Sequence, residues 1–121
     1  MRAIRIKYGK LVRDGVVERM REQGLEPRWR LLEGGEMRLA ILRKIAEEAA
    51  EAVAAFEYGI DRAAFLSELA DIKIALDAAL AAHGTTYREL RLVERRKRAE
   101  KRVRGFTKRV FLLSARAKRS E

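Results

Sequence analysis

An all-α fold, with four main helices around an antiparallel helical hairpin, follows from three features of the sequence. Its composition is that of long helices: alanine is frequent, Glu, Lys, Arg and Leu fill much of the rest, and proline occurs once in 121 residues. Apolar residues recur at helical spacing through the middle of the chain. The glycines act as punctuation between these periodic stretches.

Residues 3–8 suit a short extended segment. Val12 to Gln23 predicts a first helix, with Asp14 as a cap, stopped by Gly24 and then Pro27. Arg28-Trp29-Arg30-Leu31-Leu32 alternates weakly and suits either a strand or an ordered loop, with Trp29 expected to anchor it on the helices. Gly34-Gly35 breaks this stretch. A long second helix is expected from about Glu36 to Tyr58, closed by Gly59. Asp61 has the form of an N-cap for a third helix that continues to His83 and stops at Gly84. Thr86 with Glu89 forms a capping-box pattern opening a fourth helix, which runs to about Val103 before Gly105 ends it. So short a link between the second and third helices predicts that they pack antiparallel. The whole chain, 1–121, reads as a single domain. Its alanine-rich core buries little area per residue. A homodimer whose hairpins pair into a four-helix bundle is therefore expected, a tetramer being the larger alternative.

Several function classes drop out early. There is no cysteine, hence no disulfide, thiolate metal site or thiol nucleophile. The N-terminus lacks the apolar run of a signal peptide, and no stretch of about eighteen apolar residues is present to span a membrane. The expected location is the cytoplasm. A net charge of +10 calls for an anionic partner, either nucleic acid or a small molecule such as a nucleotide. The excess is concentrated in residues 88–109, whereas the stretch from Glu47 to Asp71 is acidic. A nucleic-acid-binding helical module using the fourth helix is the alternative reading. No aromatic residue interleaves with its Arg/Lys run, and it would leave the acidic centre without a purpose.

The second helix carries Glu47, Glu48 and Glu51, and the third carries Glu68 and Asp71. Residues three apart share a helix face, so Glu48 pairs with Glu51 and Glu68 with Asp71. Ile41, Ile45, Ala52 and Ala55 surround Glu48, while Leu69, Ile72, Leu76 and Ala79 form a stripe with Glu68 and Asp71 at its edge. Any charged helix shows such pairs on its solvated face. Two pairs on adjacent helices, each beside the apolar stripe, point instead to a shared seam. Carboxylates converging there need neutralising, by Lys44 and Lys73 in part, and better by a hard divalent cation. Oxygen donors without His or Cys favour magnesium or manganese.

Glu47-Glu48-Ala49-Ala50-Glu51 followed by Glu68-Leu69-Ala70-Asp71 resembles the Glu-Glu-x-x-Glu and Glu-x-x-Asp pattern of the all-α nucleotide pyrophosphohydrolases, which include MazG-like proteins and phosphoribosyl-ATP pyrophosphohydrolases. Tyr8-Gly9-Lys10-Leu11-Val12-Arg13-Asp14 looks like the Tyr-Asn-Lys-Leu-Val-Arg-Asp opening of one branch. Lys97-Arg98-Ala99-Glu100 with Arg104-Gly105-Phe106-Thr107-Lys108-Arg109-Val110 is similar to that branch's closing segment. Gly9 stands where the branch has Asn, and Arg104 precedes a single Gly105 where it has a glycine pair; both differences lie outside the acidic motif.

The resemblance covers residues 8–113. It implies an all-α enzyme that hydrolyses a nucleoside triphosphate or a phosphoribosyl-ATP-like compound between the α- and β-phosphates, releasing pyrophosphate. Glu48, Glu51, Glu68 and Asp71 would be the magnesium ligands. Glu47, turned about 100° from Glu48, is assigned to the attacking water. Lys10, Arg13, Lys97, Arg98, Arg102 and Arg109 are the candidates for the substrate phosphates. His83, the single histidine, closes a helix and suits a C-terminal cation or cap rather than catalysis.

Overall fold

The structure is a computed structural model, and it describes residues 4–100 and 105–119. Arg102 lies outside the described residues. Those described are helical or irregular, with four helices and no strand among them: α1 (Val16–Glu22), α2 (Gly34–Tyr58), α3 (Arg62–Ala82) and α4 (Tyr87–Glu100). No described helix is long and apolar enough to cross a membrane. The chain falls into two compact units, one ending at Thr86 and the other beginning at Tyr87.

In the first unit α2 and α3 pack against each other, and the three residues between them make the pair an antiparallel hairpin. Asp61 caps α3, its side chain accepting a hydrogen bond from the Ala64 N–H at 2.8 Å. At the other end Gly84, at φ 68°, completes a left-handed turn in which the Gly84 and Thr85 N–H groups donate to the carbonyls of Ala81 and Leu80. His83 occupies the C-cap position. The same closing turn ends α1, with Gly24 and Leu25 donating to Arg21 and Met20.

Three expectations give way. The first helix begins at Val16 rather than Val12, and its N-cap is Gly15 at φ 88° with no side-chain cap, so Asp14 does not fill that role. The physical reason is upstream: Lys10 and Arg13 reach across to the hairpin, and the chain turns at Gly15 before it coils. Gly34 does not separate a loop from a later helix but is the first residue of α2. Residues 28–32 form a loop without strand pairing, tied to α2 by Arg30 on Glu36 at 2.7 Å rather than by Trp29, which is 55 % exposed.

The core is small. Ile41, Ala75 and Ala79 are its buried apolar residues, with Ile45, Ala52, Ala55, Ile72 and Leu76 half-buried around them. Two helices can cover only one seam, so Leu42, Val53, Phe56, Phe65 and Leu66 are left exposed. The second unit contains α4, whose polar and basic surface includes an Arg98–Glu94 pair at 2.9 Å, and the segment 105–119.

Candidate metal and phosphate site

The seam of the hairpin holds Glu48, and Glu47 and Asp71 share the cations around it, whereas Glu51 is exposed. Glu48 faces inward from α2 one turn beyond Lys44 and is 5 % exposed, the most deeply buried charged residue described. It is an expensive group to bury alone, and two cations attend its Oε1: Lys44 Nζ at 3.4 Å and Arg13 Nη2 at 3.9 Å. Lys44 also donates to Glu47 Oε1 at 3.2 Å. Its own side chain is only 13 % exposed, and its place three and four positions ahead of Glu47 and Glu48 sets it beside both on one helix.

The remaining cations come from the N-terminal segment. Lys10 donates to Glu47 Oε1 at 3.2 Å, and the same Arg13 nitrogen that approaches Glu48 donates to Asp71 Oδ1 at 2.7 Å. One guanidinium thus links α2 to α3. Because a single nitrogen contacts both, the Glu48 and Asp71 oxygens lie no further apart than the sum of those two distances. The hydrogen bond to Asp71, with the charges of Asp71, Glu48 and Glu51, raises Arg13 above its ordinary value despite some desolvation. Glu68 is half-buried one turn before Asp71.

The carboxylates differ in their electrostatics. Partial desolvation works against the charge of Glu47, but the hydrogen bonds and charges of Lys10 and Lys44 outweigh it and hold Glu47 below the usual value. Glu51 moves the other way. Desolvation of its carboxyl, the charge of Glu48 and a hydrogen bond with it, and the charge of Glu47 all push it up, with Lys44 opposing. Glu48 and Glu51 are therefore neighbours in the strict sense, as their spacing predicted.

The donor set is oxygen only and crowded enough to raise one of its members, which suits a hard divalent cation in chemistry. In arrangement the carboxylates are closed around the protein's own cations: among the described residues no three of them stand together as a group that could hold a metal ion. Lys73, expected to share the neutralising role, pairs with Asp77 on its own helix at 3.0 Å. Lys44, expected alongside it, does pair with the seam carboxylates, at 3.2 Å from Glu47 and 3.4 Å from Glu48.

Of the residues expected at the phosphates, Lys10 and Arg13 lie on the carboxylates. Lys97 and Arg98 are on α4, and Arg109, at φ 56° with its N–H donating to Phe106, is in the segment beyond it, all three within the second unit. Comparison of the chain with protein-family models, with curated proteins and with solved structures finds no match.

Proposed function

We propose that the chain is a magnesium-dependent nucleotide pyrophosphohydrolase, acting in the cytoplasm on a nucleoside triphosphate or a phosphoribosyl-ATP-like nucleotide. The observation that carries this reading is the bridging of Glu48 on α2 and Asp71 on α3 by Arg13, with Lys10 on the neighbouring Glu47. The order of three motifs along the sequence supports it as a resemblance to the all-α pyrophosphohydrolases.

In this reading Glu48, Glu51, Glu68 and Asp71 would hold the cation. A bound magnesium ion would neutralise phosphate oxygens and the charge that develops on the departing pyrophosphate. Glu47 accepts a proton from the attacking water, whose oxygen bonds to phosphorus as the bridging α–β P–O bond breaks, leaving a nucleoside monophosphate and pyrophosphate. Lys10 and Arg13 bind phosphate oxygens that the metal does not cover, and Lys97, Arg98, Arg102 and Arg109 supply further positive charge. The exposed Leu42, Val53, Phe56, Phe65 and Leu66 support a homodimer in which two hairpins cover one another, with a tetramer as the larger alternative.

The test is pyrophosphate release from a panel of nucleoside triphosphates, dUTP and phosphoribosyl-ATP, with and without magnesium, alongside Glu51→Gln and Asp71→Asn. Magnesium-dependent release lost in both variants is the expected outcome. No release from any compound by folded protein that also fails to bind magnesium would overturn it. The exposed basic face of α4, with Arg95, Arg96 and Lys97, favours a second reading as a nucleic-acid-binding module. Salt-sensitive DNA binding that survives both substitutions would establish that reading instead.

A further inference from the structure

Beyond α4 lies a segment whose apolar residues have no part in the proposed chemistry. From residue 105 to residue 119 the chain has no helix or strand, and it turns where the Arg109 N–H donates to the Phe106 carbonyl at 3.2 Å. Phe106, Val110, Phe111, Leu112 and Leu113 are each at least 77 % exposed. Single apolar residues on a surface are ordinary, but a large contiguous apolar block marks a place where something binds. The same segment carries charge of one sign only. Lys108, Arg109, Arg116, Lys118 and Arg119 are its cations, and no Asp or Glu occurs from 105 to 119. Positive charge therefore stands at both ends of the apolar block 110–113.

We propose that residues 106–119 dock on an anionic lipid surface, lying on the bilayer without crossing it. Both halves of the segment find a complement there. The side chains of 110–113 enter the boundary between headgroups and acyl chains, while the flanking Lys and Arg side chains keep their charged ends among the anionic headgroups. The block is far shorter than the roughly 20 residues that span a bilayer, and a backbone unpaired by helix or strand is held at the wet headgroup level. An anionic leaflet also concentrates positive segments near its surface. Other occupants suit one half only. A nucleic acid would meet the cations and stack the two phenylalanines, leaving Val110, Leu112 and Leu113 in water. A second copy of the chain would cover apolar side chains, but it brings its own net charge of +10 against this run of cations. Lipid docking of this kind requires neither a metal nor a nucleotide.

The experiment is co-sedimentation of the full chain with vesicles of phosphatidylcholine, alone or with about 30 % phosphatidylserine, at physiological salt. Two double variants separate the halves. Phe111→Ser with Leu112→Ser leaves the charge unchanged, and Lys118→Gln with Arg119→Gln leaves the apolar block unchanged; circular dichroism checks that both keep their helical content. The expected result is binding to the phosphatidylserine vesicles, weakened about tenfold or more by the serine pair and about fivefold per charge by the glutamine pair. In Phe111→Trp with Trp29→Phe, the indole emission should shift to the blue on those vesicles and be quenched by lipid brominated in its acyl chains. A serine pair that binds as tightly as the unaltered protein would overturn the proposal, the net charge of +10 alone then accounting for adhesion. No binding to either vesicle would also overturn it. Vesicles left unbound, with DNA binding or self-association that falls in the serine pair, would give the segment to that partner instead.

Discussion

Replacing Glu51 by glutamine should make the protein more stable at neutral pH, although Glu51 is proposed as a metal ligand. The folded state holds its carboxyl above the ordinary value of 4.5 through desolvation and the proximity of Glu48 and Glu47. At neutral pH the ionised group is thus worse off folded than unfolded. Between 4.5 and the raised value the native state binds more protons than the unfolded one, so stability falls as pH rises through that window. Below it the penalty is absent. Two unit charges about 4 Å apart repel by about 1 kcal/mol in water and about 4 near a protein surface. Glu51 is exposed and Lys44 lies near, which keeps the interaction toward the lower figure. A gain of about 0.5–1 kcal/mol is therefore expected, the uncharged amide being able to donate to Glu48. That is roughly 2–6 °C in melting temperature for a chain of this size. Melting followed by circular dichroism without metal, at about pH 7 and again at about pH 3, checks both magnitude and sign. A variant that is neutral or less stable at pH 7, or one whose gain is undiminished at pH 3, would refute the carboxylate crowding on which the site depends.

Ile41→Ala, which empties the most buried apolar position at 3 % exposure, should cost about 2–4 kcal/mol in urea denaturation, a large share of so small a core. Asp61→Ala removes the side chain that accepts from Ala64 and should cost about 1 kcal/mol by the same measurement, with the helical content at low denaturant little changed. Hydrogen bonding and charge from Arg30 lower Glu36, so this pair contributes stability above Glu36's ordinary 4.5 that is lost as pH falls through the lowered value. In Arg30→Ala an NMR titration should find Glu36 back at its ordinary value.

How far the sequence spoke depended on the distance between cause and effect along the chain. The hairpin was legible because its signals are local: alanine-rich periodicity, Asp61 three residues before the amide it caps, and glycines where the backbone turns left-handed. The facing of Glu48 into the seam was legible from the apolar residues around it. What periodicity does not carry is contact between remote segments. Lys10 meets Glu47 across 37 positions and Arg13 meets Asp71 across 58, and those contacts decide where α1 begins. Trp29 shows the same limit from the other side. A large ring suggests an anchor, but whether a surface lies within its reach is a matter of tertiary arrangement, and it is left half exposed.

The three-residue connection between α2 and α3 also sets a kinetic order. Their packing joins segments that are neighbours along the chain, so little loop entropy opposes the encounter, and the hairpin should zip up from the turn on the fast side of the microsecond-to-millisecond range of helical proteins. The contacts of Lys10 and Arg13 close far longer loops and need both helices in place as a template. The N-terminal segment is therefore the last part of the first unit to dock, and in thermal unfolding it should be the first to leave.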